Sequence, residues 1–254
     1  MPQLRLPHSP DEYLDYTLIL PKGRSTTDTL VIYVHGFASH QKGEKVLYFR
    51  DRFTDVGAAF LAFDHRGHGD SSGTMKDLTI TRNLEDLEAI FSSQALNYKK
   101  RILIGSSMGG QTAAWYAARH PGRVTANLLI APGFRFLENC IRDLGPEGLK
   151  KLKTEGQVTI KSQWGELTIG KALFVDGKQY PIEKLLSAYS TPTLIIHGTD
   201  DDTVPFEDSA SFIRRSKARP LELLLIAGGD HRLTDHKETL FSAMHAFCKR
   251  LDLF

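Results

Sequence analysis

The stretch Arg101-Ile-Leu-Ile-Gly-Ser-Ser-Met-Gly-Gly110 decides the fold of this chain. It begins with an apolar strand pattern, and the residues from Gln111 to Arg119 follow with a helical pattern that ends at Pro121-Gly122. Between strand and helix, Gly105-Ser-Ser-Met-Gly109 has the spacing G-x-S-x-G. This spacing predicts a sharp turn whose serine has a strained backbone and whose glycines let strand and helix approach closely. Ser107 is therefore the candidate nucleophile, and the N–H that follows it is a candidate oxyanion donor.

Composition places the chain among ordinary globular proteins. It has 254 residues, of which 41% are hydrophobic and 24% charged, enough to bury a sizeable core. The formal net charge is only +2, and no long run of lysine and arginine occurs. This balance argues against a nucleic-acid partner.

Cysteine usage and the N-terminal sequence indicate the compartment. Cys140 and Cys248 lie far apart and outside any metal-ligand spacing, which favours free thiols in a reducing environment. The first ten residues lack the apolar core of a signal peptide, and no apolar run reaches the ~20 residues that span a bilayer. We therefore expect a soluble, cytoplasmic protein without a membrane span. No metal is expected, and no G-x-G-x-x-G motif follows a strand, so no nucleotide cofactor is expected either.

The chain alternates between strand and helix patterns, which predicts an α/β fold with a mostly parallel, doubly wound sheet. Two runs at the start, Leu4–Leu6 and Tyr13–Leu20 on either side of a turn at residues 8–12, predict an antiparallel hairpin at one sheet edge. The buried strands are predicted at residues 30–34, 58–63, 102–104, 127–130, 193–196 and 221–226. The helices are predicted at residues 44–53, 79–96, 111–119, 209–215 and 237–251. Functional residues are then expected at the carboxyl ends of the strands.

The alternation breaks once, between Phe134 and Ser190. This insertion is too long for a connection and too irregular for another strand–helix unit, so we interpret it as a lid within one domain of residues 1–254. Phe134, Phe136 and Trp164 could line an acyl pocket beneath the lid, or they could form the lid's own small core. The sequence leaves the two alternatives open, and it does not determine the oligomeric state.

Ser107 needs a base, because an unassisted hydroxyl is a poor nucleophile near neutral pH. His231 is the favoured candidate, since the strand at residues 221–226 runs into Ala227-Gly-Gly-Asp-His231, a glycine turn at the top of the sheet. The base in turn needs a carboxylate that holds its tautomer. The strand at residues 193–196 leads into three adjacent aspartates at positions 200–202, each of which could supply that carboxylate.

Over nearly its whole length the chain resembles the serine α/β-hydrolases, whose triad also follows the chain order Ser, Asp, His. His35-Gly-Phe37 resembles the family's oxyanion loop, residues 64–72 resemble its D-x-R-G-x-G-x-S turn, and residues 197–205 resemble its H-G-x-x-D-x-x-V-P acid loop. Within the fold, Gly105-Ser-Ser-Met-Gly-Gly110 and Asp230-His-Arg232 are similar to the abhydrolase branch of acyl-protein thioesterases and acyl-glucuronide esterases. Bacterial cinnamoyl esterases and other carboxylesterases share several of these motifs.

The resemblance implies a role for each matching residue. Asp201 would be the triad acid, and the N–H groups of Phe37 and Met108 would form the oxyanion hole. The implied activity is hydrolysis of a small acyl ester or thioester without a cofactor, through an acyl-enzyme on Ser107. Two alternatives remain: a serine aminopeptidase-like peptidase, and a ligand receptor on the same scaffold that does not turn over its ligand.

Overall fold

Short, buried, apolar strands form the framework of the protein. The computed structural model describes residues 2–7, 9–162 and 165–254. Its strands are β1 (Gln3–Leu6), β2 (Ser9–Ile19), β3 (Thr29–Val34), β4 (Ala59–Phe63), β5 (Lys100–Ser106), β6 (Ala126–Ile130), β7 (Gln157–Ser162), β8 (Gly165–Gly170), β9 (Thr193–Gly198) and β10 (Leu221–Ile226). Its α-helices are α1 (Glu44–Asp55), α2 (Ile80–Ile90), α3 (Met108–Arg119), α4 (Phe136–Glu155), α5 (Lys171–Asp176), α6 (Ile182–Ala188), α7 (Phe206–Arg215) and α8 (Lys237–Arg250).

In the described chain, eight strands form one sheet in the order β1-β2-β4-β3-β5-β6-β9-β10. β1 pairs with β2, and β2 with β4, in antiparallel fashion, whereas all other pairs in this sheet are parallel. This arrangement is the α/β-hydrolase architecture that the sequence predicted, with an antiparallel hairpin at one edge. Because the parallel strands run in the same direction, the loops after β3, β5, β9 and β10 all leave the sheet at its carboxyl edge.

Successive side chains along each strand point to opposite faces of the sheet, so the core is divided into two layers. In β3, Leu30, Ile32 and Val34 contribute to the layer that contains residues of α2 and α3, and all three are fully buried. The intervening Val31 and Tyr33 contribute to the opposite layer, with residues of α1 and α8. Both faces of the sheet are therefore covered by helices, which explains why its strands are nearly continuous apolar runs.

Two elements have a boundary more than three residues from the predicted one. The turn predicted at residues 8–12 is wrong, because β2 already begins at Ser9, and the pairing register shifts between Arg5 and Leu6 of β1 to accommodate the extra length. The helix predicted at residues 79–96 ends at Ile90 and continues as one wider turn over Phe91–Ala95. The amphipathic pattern continues across this boundary, so periodicity alone does not mark it.

The region between β6 and β9 contains α4, the antiparallel hairpin β7–β8, α5 and α6. Helix α4 is kinked at Gly145, which has a φ of 60° and precedes Pro146. The region is fastened to α2, because the Thr81 N–H donates to the Asp176 carboxylate at 2.9 Å and the Thr81 hydroxyl lies 2.6 Å from the Tyr180 hydroxyl. That residues 134–190 act as a lid within a single domain stays a prediction.

Replacement of Gly109 tests how closely strand and helix must approach. A Cβ at this position would lie 2.1 Å from the Val34 carbonyl oxygen and 2.5 Å from that of His35, and both are backbone atoms of the neighbouring strand or loop. We expect Gly109→Ala to lower the free energy of unfolding by about 2–3 kcal/mol, as overpacking does elsewhere. Urea denaturation followed by circular dichroism measures the change.

Gly133→Ala is the matched control, since a Cβ there would meet nothing nearer than 3.5 Å although the residue lies beside the same turn. Its effect should stay below about 1 kcal/mol. Equal destabilisation by the two substitutions would contradict the role given to the close approach at Gly109.

Candidate active site

Ser107 occupies the sharp turn between β5 and α3. Its φ of 53° and ψ of −118° lie where residues with a side chain are rarely found. The turn is held from outside, because the Ser107 N–H donates to the Ile130 carbonyl at 2.9 Å and its carbonyl accepts from the Gly133 N–H at 2.9 Å. The neighbouring strand end therefore stabilises the conformation that exposes the Ser107 hydroxyl at the carboxyl edge of the sheet.

His231 reaches Ser107 from the loop after β10. The chain turns at Gly228, with a φ of 70°, and the Gly229 N–H closes the turn on the Ile226 carbonyl at 3.1 Å. The Asp230 carboxylate then accepts the Leu233 N–H at 2.7 Å, which fixes the loop around the histidine. In this position His231 Nε2 lies 3.0 Å from Ser107 Oγ, within hydrogen-bond distance.

Asp201 is the aspartate that contacts His231. Its Oδ2 lies 2.7 Å from His231 Nδ1, while its Oδ1 accepts the N–H groups of Thr203 at 2.9 Å and Val204 at 2.7 Å. The side chain is 0% exposed. Asp200 and Asp202 are exposed, so the geometry separates the three adjacent aspartates of the acid loop.

A second histidine supports the same carboxylate. His197 Nε2 donates to Asp201 Oδ2 at 3.0 Å, and its Nδ1 accepts from the Ser209 hydroxyl at 2.8 Å. Burial opposes ionisation of Asp201, but the hydrogen bonds from His197 and His231 outweigh it and hold the pKa of the carboxyl well below its usual value. Because Asp201 is thus an acceptor, His231 carries its proton on Nδ1 and turns the lone pair of Nε2 toward Ser107.

The loop after β3 lies beside the serine. His35 shapes it, since His35 Nδ1 donates to the Gly36 carbonyl at 2.8 Å and its Nε2 accepts the His65 N–H at 3.0 Å. Burial lowers the pKa of His35 well below its usual value, which keeps the ring neutral and able to accept. Met108 is the first residue of α3, where a helix leaves N–H groups without an intrahelical partner. That Phe37 and Met108 donate to an oxyanion stays a prediction.

A cluster of carboxylates underlies this loop. Asp15, Asp64 and Asp70 converge within 4.8 Å, the one such group of potential metal ligands in the described ranges. Asp64 accepts the N–H groups of Gln41 at 2.6 Å and Asp70 at 3.0 Å, and Asp15 accepts the Gln41 side-chain amide at 2.8 Å. Burial, with the charges of Asp64 and Asp70, raises the pKa of Asp15. These hydrogen bonds connect the cluster to Gln41 in the loop after β3.

A cavity of about 760 Å³ extends from Ser107 and His231 beneath α4 and the β7–β8 hairpin. One face of α4 forms much of its wall, with residues that recur at helical spacing: Phe136, Asn139, Cys140, Asp143, Leu144, Glu147, Gly148 and Lys151. Phe136 therefore lies where an acyl pocket was expected. Phe134 is almost fully buried and stacks on Phe212 with ring centroids 4.1 Å apart, so it belongs to the core. Trp164 lies outside the described residues.

A second cavity, of about 610 Å³, also borders Ser107 and His231. It shares Phe37, Ala38, Ser107 and His231 with the first cavity. Its remaining wall comes from the ends of β3 and β5, the loop after β3, the N-terminal turn of α1 and the residues on either side of His231, and it includes Lys45 and Arg232. Sequence reasoning missed Lys45, because a lysine within an amphipathic helix resembles a solvated surface residue.

Comparisons with known proteins relate the chain to hydrolases. The sequence model of a family described as serine aminopeptidase, S33, matches residues 25–165. Two relatives are 26% identical: the mitochondrial palmitoyl-protein thioesterase ABHD10 of Bos taurus, over 81% of this chain and 67% of the relative, and a monoacylglycerol lipase of Mycolicibacterium smegmatis, over 82% and 83%. The structure of a putative hydrolase from Agrobacterium vitis S4 is 27% identical and superimposes with a TM-score of 0.84 over 97% of each chain.

None of the helices in the described ranges is long and apolar enough to cross a membrane.

Alkylation tests whether either cysteine is reactive enough to act as the nucleophile in place of Ser107. Cys140 and Cys248 are both free, and burial raises the pKa of each thiol to about 12. Below that pH both stay protonated, so at neutral pH we expect iodoacetamide to label the native protein slowly and the unfolded protein completely. Mass spectrometry measures the labelling, and Cys140→Ser should retain the native stability and the same slow labelling of Cys248.

Proposed function

Since this chain belongs to the serine aminopeptidase S33 family of the α/β-hydrolase superfamily, we propose that it hydrolyses carboxylic esters or thioesters through Ser107, His231 and Asp201. The observation that carries the proposal is the unbroken hydrogen-bonded chain, 3.0 Å from Ser107 Oγ to His231 Nε2 and 2.7 Å from His231 Nδ1 to Asp201 Oδ2. A hydroxyl, a correctly oriented imidazole and an ionised carboxylate in this order are what acyl transfer requires. The named relatives, a thioesterase and a lipase, agree with ester chemistry.

In the proposed mechanism, His231 removes the proton of Ser107 as the hydroxyl attacks the substrate carbonyl. The N–H groups of Phe37 and Met108 donate to the oxyanion that forms on the carbonyl oxygen. His231 then gives the proton to the leaving oxygen or sulfur, and an acyl-enzyme forms on Ser107. Water repeats these steps and releases the acid.

The cavity beneath α4 is the proposed site of the acyl chain. Apolar side chains from three elements line it, among them Phe136 and Leu144 of α4, Val158 and Ile160 of β7, and Ile169 of β8. A volume of about 760 Å³ is large enough for a medium-length chain. Because its wall belongs to the region 134–190, we also propose that this region acts as the lid.

A peptidase is the second candidate. A peptidase of this kind must hold the free amino terminus of its substrate, and two acids of α4, Asp143 and Glu147, line the cavity on either side of the kink at Gly145. Together with the description of the matched family, this pair of acids favours aminopeptidase activity. Hydrolysis of alanine or leucine p-nitroanilide at a rate that exceeds hydrolysis of p-nitrophenyl butyrate would select the peptidase, and the reverse would select the esterase.

The proposed location is the cytoplasm. The bovine relative is named as a mitochondrial protein, so the compartment needs its own test. Fractionation of cells that express the full-length protein decides between the two.

Substitutions in the triad test the mechanism. We expect Ser107→Ala to abolish hydrolysis of p-nitrophenyl butyrate and labelling by a fluorophosphonate probe, because no other group in the mechanism can carry the acyl intermediate. Asp201→Asn should lower kcat by about 10⁴-fold, since an amide favours the wrong tautomer of His231. Steady-state kinetics, with circular dichroism as a check on folding, measures both effects.

Asp202→Asn is the matched control, because Asp202 is adjacent in the chain and exposed. It should change kcat less than about twofold, as a surface substitution outside the site does. If Ser107→Ala retains the parent rate, the mechanism is wrong; if Asp202→Asn matches the loss of Asp201→Asn, the assignment of the acid is wrong. Fluorophosphonate labelling without product release would instead support the receptor alternative.

Narrowing the cavity beneath α4 tests whether this cavity binds the acyl chain of the substrate. Leu144 lines it from α4, so Leu144→Trp should exclude long chains and shift the preferred p-nitrophenyl ester from octanoate toward acetate, by about tenfold in the ratio of kcat/KM. Leu149→Trp, on the same helix outside the described cavity wall, is the control and should leave the ratio unchanged. An identical chain-length profile for parent and Leu144→Trp would exclude this cavity as the acyl site.

A further inference from the structure

The two cavities at Ser107 differ in the groups that line them. The cavity beneath α4 has many apolar side chains near the serine, among them Phe136, Val204 and Ile169. The second cavity is lined mostly by polar or charged residues: Ser39, His40, Glu44, Lys45, Asp230, Arg232, Thr234 and Asp235. A substrate whose carbonyl carbon lies at Ser107 Oγ must direct its acyl chain and its leaving group in different directions. If the acyl chain occupies the apolar cavity, the second cavity receives the leaving group.

Lys45 is a cation of this wall whose hydrogen-bond acceptor is an uncharged group. Its ammonium donates to the backbone carbonyl of Arg232, which follows His231 in the chain. In the part of the chain that the structure describes, no carboxylate lies within ion-pair distance of it. Burial lowers the pKa of Lys45 to about 8, and the nearby Asp230 offsets this effect only in part. At neutral pH an incompletely compensated ammonium therefore lines the cavity, which is an arrangement that an anionic ligand would stabilise.

The acidic residues of the same wall are otherwise engaged or turned toward solvent. Glu44 forms an ion pair with Lys237. Asp230 is exposed and accepts the Leu233 N–H at 2.7 Å, and Asp235 is exposed. These acids therefore have hydrogen-bond partners or water, whereas the ammonium of Lys45 is bonded to a neutral carbonyl.

We propose that Lys45 recognises an anionic group, a carboxylate or a phosphate, on the leaving alcohol or thiol of the substrate. This inference rests on the proposed ester or thioester hydrolysis and adds its substrate class: acyl esters or thioesters with a negatively charged leaving group. The Ser107 oxygen displaces the leaving oxygen or sulfur, and His231 returns to that atom the proton taken from Ser107. The anionic group takes no part in bond making; Lys45 is a specificity-determining residue.

Three matched butyrate esters test the substrate class on the parent protein, without any substitution. All are esters of one nitrophenol, whose ring carries a carboxylate, an uncharged carboxamide or a phosphomonoester. We expect kcat/KM for the carboxylate or for the phosphomonoester to exceed that for the carboxamide by about tenfold or more, the size of one charge-assisted hydrogen bond. The larger of the two ratios identifies the preferred anion.

Lys45→Met then assigns the preference to this side chain. The variant should reduce the ratio of charged to uncharged ester to about one, within about twofold, whatever its absolute rates, and Lys45→Arg should retain a ratio above one. Lys42→Met is the matched control, because Lys42 is an exposed lysine three residues earlier that pairs with Asp70. It removes the same charge outside the cavity and should keep the parent ratio.

The outcomes separate this inference from the proposed function. If the parent protein hydrolyses all three esters with equal kcat/KM, the hydrolase assignment stands and the anionic leaving group is excluded. If the preference exists but survives Lys45→Met, or falls equally in Lys42→Met, the role of Lys45 is excluded. If none of the esters is hydrolysed, the proposed function fails and the inference fails with it.

Discussion

The close approach of β5, α3 and β3 around Ser107 is the constraint on which the site depends. Ser107 has a φ of 53°, a conformation that costs about 1–3 kcal/mol and persists only when the surroundings enforce it. Gly109 permits the close approach, since a Cβ there would lie 2.1 Å from the Val34 carbonyl oxygen. The strain is offset by this packing and by two hydrogen bonds, one from the Ser107 N–H to the Ile130 carbonyl and one from the Gly133 N–H to the Ser107 carbonyl, and the serine hydroxyl is held at the carboxyl edge of the sheet.

The direction of the parallel strands explains how residues distant in sequence meet at this serine. β5, β9 and β10 end at the same edge, so the loops that follow them carry Ser107, Asp201 and His231 to one place. Asp201 is buried, and two histidines and two backbone N–H groups supply its hydrogen bonds. A buried charge needs such partners, and the histidine that faces Ser107 is oriented as a consequence.

The two cavities beside Ser107 have different origins in the chain. One wall is α4 and the β7–β8 hairpin, which belong to the insertion between β6 and β9. The wall of the second cavity includes the loop after β3, the start of α1 and the residues around His231, which belong to the common framework of alternating strands and helices. Variation in the insertion can therefore change the cavity beneath α4 without changing the wall where Lys45 lies.

The sequence by itself determined the features that depend on local backbone geometry. The glycine spacing around Ser107, the glycine turn before His231 and the alternation of strands and helices each prescribe a conformation over a few residues, and the family pattern singled out Asp201 among three neighbours. Only the tertiary structure separated Phe136, in the cavity wall, from Phe134, which stacks on Phe212. It also brought Lys45 beside Arg232, 187 positions away in the chain. Cavity walls arise from contacts between distant segments, and neither periodicity nor spacing along one segment encodes which side chains another segment will cover.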